Sequence, residues 1–306
     1  MHDAYRGFTD PEVFVELAPG ARTADIAAAL AGAGVVPDAF TFRLAVRFAN
    51  ADRKLKAGEY RFTDAATPDE IINRLMRGDT FTRALTFPEG LNIHEMAAIF
   101  EKSGMGTADQ FIRAATTVSL IADLDPEAAN LEGYLFPATY SLPRRAGADG
   151  VIRAMVKEFR HALGNEPLPE GMTVRDLVTL ASIVEKETAS PVERPEVAGV
   201  YTNRLKLKML LQCDPTVIYA LMLKGTWDGN IRKPDLSMDS PYNTYKYPGL
   251  PPGPIASPGK ASLDAARHPM PSKYLYFVSR NDGTHIFATN LADHQKNVRE
   301  FQQKRR

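Results

Sequence analysis

The chain of 306 residues has one cysteine, Cys213, so it can form no internal disulfide and offers no cysteine-rich metal site. It also lacks an excess of either charge. Lys+Arg and Asp+Glu both number 37, which removes the electrostatic argument for nucleic acid or an anionic membrane surface as the main partner. No apolar run approaches the length of a membrane span, and the N-terminal MHDAYRGFTDPEVFVELAPG has no signal-peptide core. The chain as written is therefore expected to be soluble. The six histidines, at 2, 94, 161, 268, 285 and 294, show neither HExxH nor HxH spacing, and GxGxxG, GxxxxGK[ST] and GxSxG do not occur. A zinc hydrolase, a nucleotide enzyme and an α/β-hydrolase are all poorly supported, and no metal or cofactor is called for.

What is present is an ordinary globular composition, 44% apolar and 24% charged. The length suits a large domain with a smaller companion. The fold class expected is α+β, with boundaries at 1–83 and 84–306. Residues 13–83 read as a small α/β module. VFVEL is a strand, Thr23 is placed to cap a helix whose buried stripe is Ile26 and Leu30, and GEYRF is a strand with its aromatics on one face. Thr67-Pro68-Asp69-Glu70 is a capping box opening a helix through Ile71 and Leu75. Such a module is either a β-α-α-β glycan binder or a scaffold.

Residues 84–306 read as mostly helical with short strands. IHEMAAIFEKSG, TADQFIRAATTVSLIADL and GVIRAMVKEFRHAL carry apolar residues at helical spacing, and LEGYLFPATYSLPR interrupts them as a strand or wall loop. Thr173 with Asp176 opens a further helix, and Ser190-Pro191-Val192-Glu193 reads as a capping box for the next. Asn281-Asp282-Gly283 between YLYFVSR and HIFAT predicts a C-terminal hairpin, followed by a helix that frays into QQKRR.

The apolar helix LVTLASIVEKETAS carries two acids. At about 100° per residue, Glu187 falls within about 20° of Leu180 and about 40° of Ile183, on the apolar face. Glu185 shares a smaller, mixed face with Val178, Ala181 and Ser182, where it would orient or solubilise. A carboxylate on an apolar face is costly to ionise and keeps its proton to higher pH, as a general acid needs. The alternative is an acid in a frayed last turn, paired with Lys or Arg or reaching water. Downstream, DSPYNTYKYPGLPPGPIASPG brings Tyr242, Asn243 and Tyr245 onto Pro-rich loops, either a wall for sugar rings or a plain connector. In LLQCDPTVIYALML, Gln212 and Asp214 precede an apolar helix, which Asp214 is expected to cap.

Taken together, AGEYRF (57–62), LEGYLFPATY (131–140), LASIVEKET (180–188), NRL (203–205), LQCDPTVIYAL (211–221), SPYNTYKYPGLPPGPIASPG (240–259), AARHP (265–269), YLYFV (274–278) and GTHIFATNLADHQKNV (283–298) resemble the YceG-like endolytic murein transglycosylases. The blocks cover most of the chain in the family's order. The resemblance implies a LysM-like module before a catalytic domain that cuts nascent peptidoglycan between N-acetylmuramic acid and N-acetylglucosamine, leaving 1,6-anhydro ends. It assigns both general acid and general base to a single residue, the second Glu of EKE, Glu187. Gln212, Asn243, Tyr242, Tyr245 and Glu132 would line the sugar cleft, with Glu185 and Asp214 in support. It implies no cofactor, peptidoglycan strands and cell-wall synthases as partners, and the periplasmic face of the bacterial inner membrane as location.

Three features depart from the family pattern. Ala138 stands where an aspartate is usual, Cys213 where a small hydroxyl residue is usual, and the family's N-terminal transmembrane helix is missing from the sequence. A non-catalytic peptidoglycan-binding or scaffolding protein is the competing reading. A pyridoxal-phosphate lyase is disfavoured, because no Schiff-base lysine motif is recognisable.

Overall fold

The computed structural model describes residues 3–188 and 190–303. Within it the chain forms two compact units, Met1–Leu85 with Tyr140–Ala146, and Thr86–Thr139 with Gly147–Arg306.

The smaller unit begins with β1 (Val13–Leu17), α1 (Thr23–Gly32), α2 (Ala39–Phe48) and β2 (Gly58–Phe62), in that order, followed by α3 (Pro68–Arg77). β1 and β2 pair antiparallel, with Val15 opposite Tyr60 and Val13 opposite Phe62. Alternation along β2 turns Tyr60 and Phe62 to one side, where they are buried with Ile26, Leu30, Ile71 and Leu75. The sequence expectation holds for these residues and for α3. There Thr67 accepts from the Glu70 backbone and Glu70 returns a bond to the Thr67 N–H, while Gly78 (φ 77°) ends the helix in the left-handed conformation. It fails at α1. Arg22 takes the N-cap position, and the Thr23 hydroxyl is already inside the helix, donating to Asp52 at 3.1 Å.

This unit also takes in the segment 140–146. Arg144 brings a guanidinium to the buried Glu59 (2.9 Å) and lies over the Phe14 ring, 4.0 Å from its centroid. The chain enters this segment through β4 (Thr139–Leu142), the partner of β3 (Arg83–Thr86), and leaves it at residue 146.

The larger unit is mostly helical. It runs through α4 (Ile93–Lys102), α5 (Ala108–Ala114), α6 (Gly147–Leu163), α7 (Val174–Glu187), α8 (Arg194–Lys206), α9 (Asp214–Lys224) and α10 (Lys260–Arg267), then β5 (Tyr276–Ser279), β6 (His285–Ala288) and α11 (Leu291–Val298). The helical run expected to continue past Ala114 breaks, because the Thr116 hydroxyl donates to the Arg113 carbonyl in competition with the helix. The expected hairpin is present. β5 and β6 pair antiparallel, with Phe277 opposite Phe287 and Ser279 opposite His285. Asn281 (φ 61°) and Gly283 (φ 89°) supply the left-handed residues of its turn. The expected fray reaches residues 304–306, which lie outside the described residues.

α7 is the centre of this unit, packed against α8, α9 and α10. Thr173 and Asp176 cap it reciprocally, as expected. Every residue from Leu177 to Val184 is buried. Full burial contributes about 2 kcal/mol for each Leu, Ile or Val, enough to hold the helix in place down to its last turn, where the acids lie. Ser182 permits the burial of a polar side chain by donating to the Thr179 carbonyl and accepting from the Ile255 N–H. Among the described residues no helix is long and apolar enough to cross a membrane.

Candidate active site

α7 stops at Glu187 because Thr188 turns extended (φ −137°, ψ 131°), leaving Glu187 at the end of the helix where unpaired carbonyls gather negative charge. Here it forms part of the wall of a cleft of about 740 Å³ within the larger unit. The cleft is also lined by Gln212, Asp214 and Tyr245 on one side and by the β5–β6 hairpin and α11 on the other. Four sequence-predicted residues, Glu187, Gln212, Asp214 and Tyr245, therefore come together around one space.

The Glu187 carboxylate accepts a hydrogen bond from the Tyr201 hydroxyl at 2.7 Å and another from the Cys213 thiol. Among the described residues it has no cationic partner within salt-bridge distance. Loss of hydration raises its pKa above the usual glutamate value, and the nearby Asp214 charge pushes the same way. The two hydrogen bonds and His285 oppose this without cancelling it. The negative end of α7 acts in the same sense as burial. Glu187 is thus neither the ion-paired nor the fully solvated acid that a frayed turn would give. It is a desolvated acid with an opening onto a cleft.

Glu185 differs from its expected setting. The face it shares with Val178, Ala181 and Ser182 is fully buried, so it does not solubilise the helix. Its side chain is 6% exposed, pairs with Arg194 at 2.9 Å and accepts from the Gly259 N–H at 3.0 Å. Arg194 belongs to α8, and the capping box expected at Ser190–Glu193 does not form. Glu193 sits at the N-cap with its carboxylate turned away to the hairpin, where both oxygens engage His285.

The loop before α9 is built for exposure of one side chain. Gln212 adopts a left-handed backbone (φ 50°), held by its N–H on the Thr244 carbonyl, and its side chain is exposed at the cleft. Cys213 follows as the N-cap residue, buried, its N–H donating to Thr244 Oγ1. Asp214 does not cap α9 as expected. It is the first helical residue, and its carboxylate accepts from the Tyr245 hydroxyl at 2.6 Å, so the two cleft residues brace each other.

The remaining expected lining residues lie elsewhere. Asn243 is fully buried, its amide nitrogen donating to the Leu236 and Met238 carbonyls and its oxygen accepting from the Tyr245 N–H. It shapes the loop that presents Tyr245. Tyr242 packs against Tyr219 with ring centroids 5.0 Å apart and is not among the cleft residues. Glu132 is buried and accepts from the Ile93 N–H and the Tyr219 hydroxyl, and burial pushes its pKa up to about 7. Conversely, the cleft contains groups that sequence reasoning gave no role: Tyr201, Arg204, His285 and His294. Their only sequence signal was membership in NRL and GTHIFATNLADHQKNV or, for Tyr201, a place just before NRL.

Comparison with known proteins bears on the whole chain. An endolytic murein transglycosylase of Bacillus subtilis strain 168 is 33% identical over 93% of this chain and 83% of its own length. One from Streptococcus pneumoniae serotype 2 strain D39 is 31% identical over 94% of this chain but only 58% of its own length. The crystal structure of a yceG-like protein from Listeria monocytogenes superposes with a TM-score of 0.60 at 32% identity, covering 94% of this chain and 98% of the other. The model of the YceG-like family matches residues 15–300, and with that span and these relatives the chain belongs to the YceG-like family.

Proposed function

We propose that the chain is a lytic transglycosylase that cuts peptidoglycan glycan strands internally, between N-acetylmuramic acid and N-acetylglucosamine, with Glu187 as its acid. The observation that carries this reading is the Glu187 carboxylate, desolvated and, among the described residues, with no cation within salt-bridge distance, at the wall of an open cleft. Two relatives named as endolytic murein transglycosylases supply the substrate class.

Protonated Glu187 gives its proton to the glycosidic oxygen as the bond to C1 breaks. The Glu187 carboxylate so formed takes the proton of the C6 hydroxyl of the muramic sugar as its oxygen closes on C1, and the strand ends in a 1,6-anhydro sugar. The attacking group belongs to the substrate, so no second carboxylate is needed to form a covalent intermediate or to activate water. Tyr201 and the Cys213 thiol hold the Glu187 carboxylate in one orientation, and Gln212 and Tyr245 offer an amide and an aromatic ring to the sugar. Glu185 and Arg194 fix the end of α7 from behind.

The smaller unit, with its β-α-α-β order, acts as a LysM-like glycan-holding module. Its groove lies between the β1–α1 turn and the loop after α2, lined by Gly20, Arg22, Asp52 and Arg53 among others. On this reading the protein works at the periplasmic face of the bacterial inner membrane, with cell-wall synthases as its partners.

The test is digestion of purified, uncrosslinked glycan strands with the wild type and Glu187→Gln, the new ends being identified by mass. Anhydro ends from the wild type and almost none from the variant are expected. Reducing ends would mean hydrolysis by water, and equal release by both proteins would remove Glu187 from the reaction.

A further inference from the structure

The two faces of α2 meet different surroundings. Phe42, Ala45 and Val46 are buried in the core of the smaller unit, while Phe40, Arg43 and Arg47 lie on the opposite side, within an arc of about 60°. All three are exposed, Phe40 to 74%. With Arg22, Thr23 and Asp52 they line a hollow of about 590 Å³ between the start of α1 and the outer face of α2. Arg22, Thr23 and Asp52 also line the groove proposed above to hold the glycan, so the two spaces share a wall. Charge in the hollow is unbalanced. Arg22 is engaged by Asp25 at 3.2 Å, and Asp52 accepts from the Thr23 hydroxyl. Among the described residues neither Arg43 nor Arg47 meets a carboxylate or another hydrogen-bond acceptor. Their guanidiniums stand one helical turn apart, about 6 Å along the axis, in a chain of zero formal net charge. Each offers a planar fork that matches a carboxylate.

On the peptidoglycan reading above, and on the glycan-holding role it gives the smaller unit, we propose that this hollow binds the peptide stems of the same strand through their carboxylates. Each muramic sugar of a nascent strand carries a short peptide with free carboxylates. A strand held in the groove has these branches beside the shared wall. Arg43 and Arg47 take carboxylates as two-pronged hydrogen-bonded pairs, and the Phe40 ring covers alanine methyl groups. Asp52, on the shared wall, repels carboxylates from the sugar groove and keeps the peptide on the arginine side. An anionic lipid surface fits this face less well. The apolar side of α2, which an interfacial helix would bury in the bilayer, is already spent on the core. The smaller unit thereby selects strands that still carry their peptides.

The test measures binding by the full chain as Glu187→Gln, which holds strands without cutting them. Three forms of uncrosslinked strand are compared: with intact stems, with the stem carboxylates converted to amides, and with the stems removed by an amidase. Intact stems are expected to bind about 10-fold tighter than the other two at low salt, and the gap should close as salt rises. Adding Arg43→Ala with Arg47→Ala should abolish the gap while stem-free strands bind as before, and Arg43→Lys with Arg47→Lys should keep part of it. Both positions are exposed, so thermal melting should be unchanged. Equal binding of all three strands, or a double alanine variant that loses stem-free binding or keeps the full gap, overturns the proposal. So does arginine-dependent capture by vesicles of anionic phospholipid without a stem preference. Cutting by the wild type is scored separately by mass. No anhydro ends from any of the strands overturns the transglycosylase reading and leaves the binding comparison standing.

Discussion

Glu185 and Glu187 stand two residues apart on the last turn of α7, and the structure treats them in opposite ways. Glu185 is neutralised: its carboxylate meets the Arg194 guanidinium and a backbone N–H, and it is shut away from solvent. Among the described residues Glu187 has only neutral donors, Tyr201 and Cys213, and it has an opening onto the cleft. A paired buried charge is costly to disturb but chemically quiet, whereas an unpaired desolvated acid keeps its proton to higher pH than an ordinary glutamate and so has one to give. Proximity in sequence says nothing about which role an acid takes. The partner supplied by the neighbouring helix decides.

That contrast can be broken most sharply at Glu187. Replacing it with Gln should lower release of anhydro ends by roughly 1,000-fold, with a melting temperature equal to or above that of the wild type, because a desolvated carboxylate is removed. Glu185→Ala should do the reverse. Taking away the nearer of its two carboxylates, and leaving the buried Arg194 only Glu89 at 3.4 Å, costs about 3 kcal/mol in a denaturant melt, while the folded fraction keeps most of its activity. A Glu185 variant as inactive as the Glu187 one, and as stable, would abolish the distinction.

Glu132 sharpens the comparison from a third side, as an acid buried away from the cleft. Its folded pKa of about 7 lies above the ordinary 4.5, so the folded protein keeps the proton where the unfolded chain has lost it. Stability present below pH 4.5 is therefore lost as pH rises to about 7, by about 3 kcal/mol in all. Urea melts across that window should show a shallower decline for Glu132→Gln than for the wild type. The smallest effect is expected at Tyr201→Phe. Removing a donor from Glu187 raises its pKa further, so the alkaline limb of the pH–rate profile should move to higher pH. The maximal rate should fall by about 1 kcal/mol, roughly fivefold. A limb that stays in place would mean that the Tyr201 hydroxyl does not govern the acid.

Much of this was legible in the sequence where local rules decide. The capping boxes at Thr67 and Thr173, the buried stripes of α1 and α3 and the hairpin at Asn281–Gly283 follow from neighbouring residues alone. Helical periodicity also placed Glu187 on the face of Leu180 and Ile183. It could not see that the opposite face, with Val178, Ala181 and Ser182, is equally buried under other helices, so it left open whether Glu185 orients or solubilises. Ser190–Glu193 has the letters of a capping box, but His285, 92 residues further on, captures the glutamate. Asn243 and Tyr242 have the chemistry of sugar ligands and are spent on loop packing instead. Each of these outcomes depends on a partner distant in sequence, which spacing does not report.

The segment 140–146 has a consequence for heredity. Glu59 is buried in the smaller unit, and the guanidinium that answers it arrives on Arg144, 85 residues later and after much of the larger unit has begun. A recombination event that copied only the first 85 residues into another gene would carry the carboxylate without its counterion and Phe14 without its cation. The smaller unit is therefore not a transferable cassette. In evolution it should travel with at least the first stretch of its neighbour, residues 86–139, and gene fusions that split the two should be found only where Glu59 has been replaced by an uncharged residue.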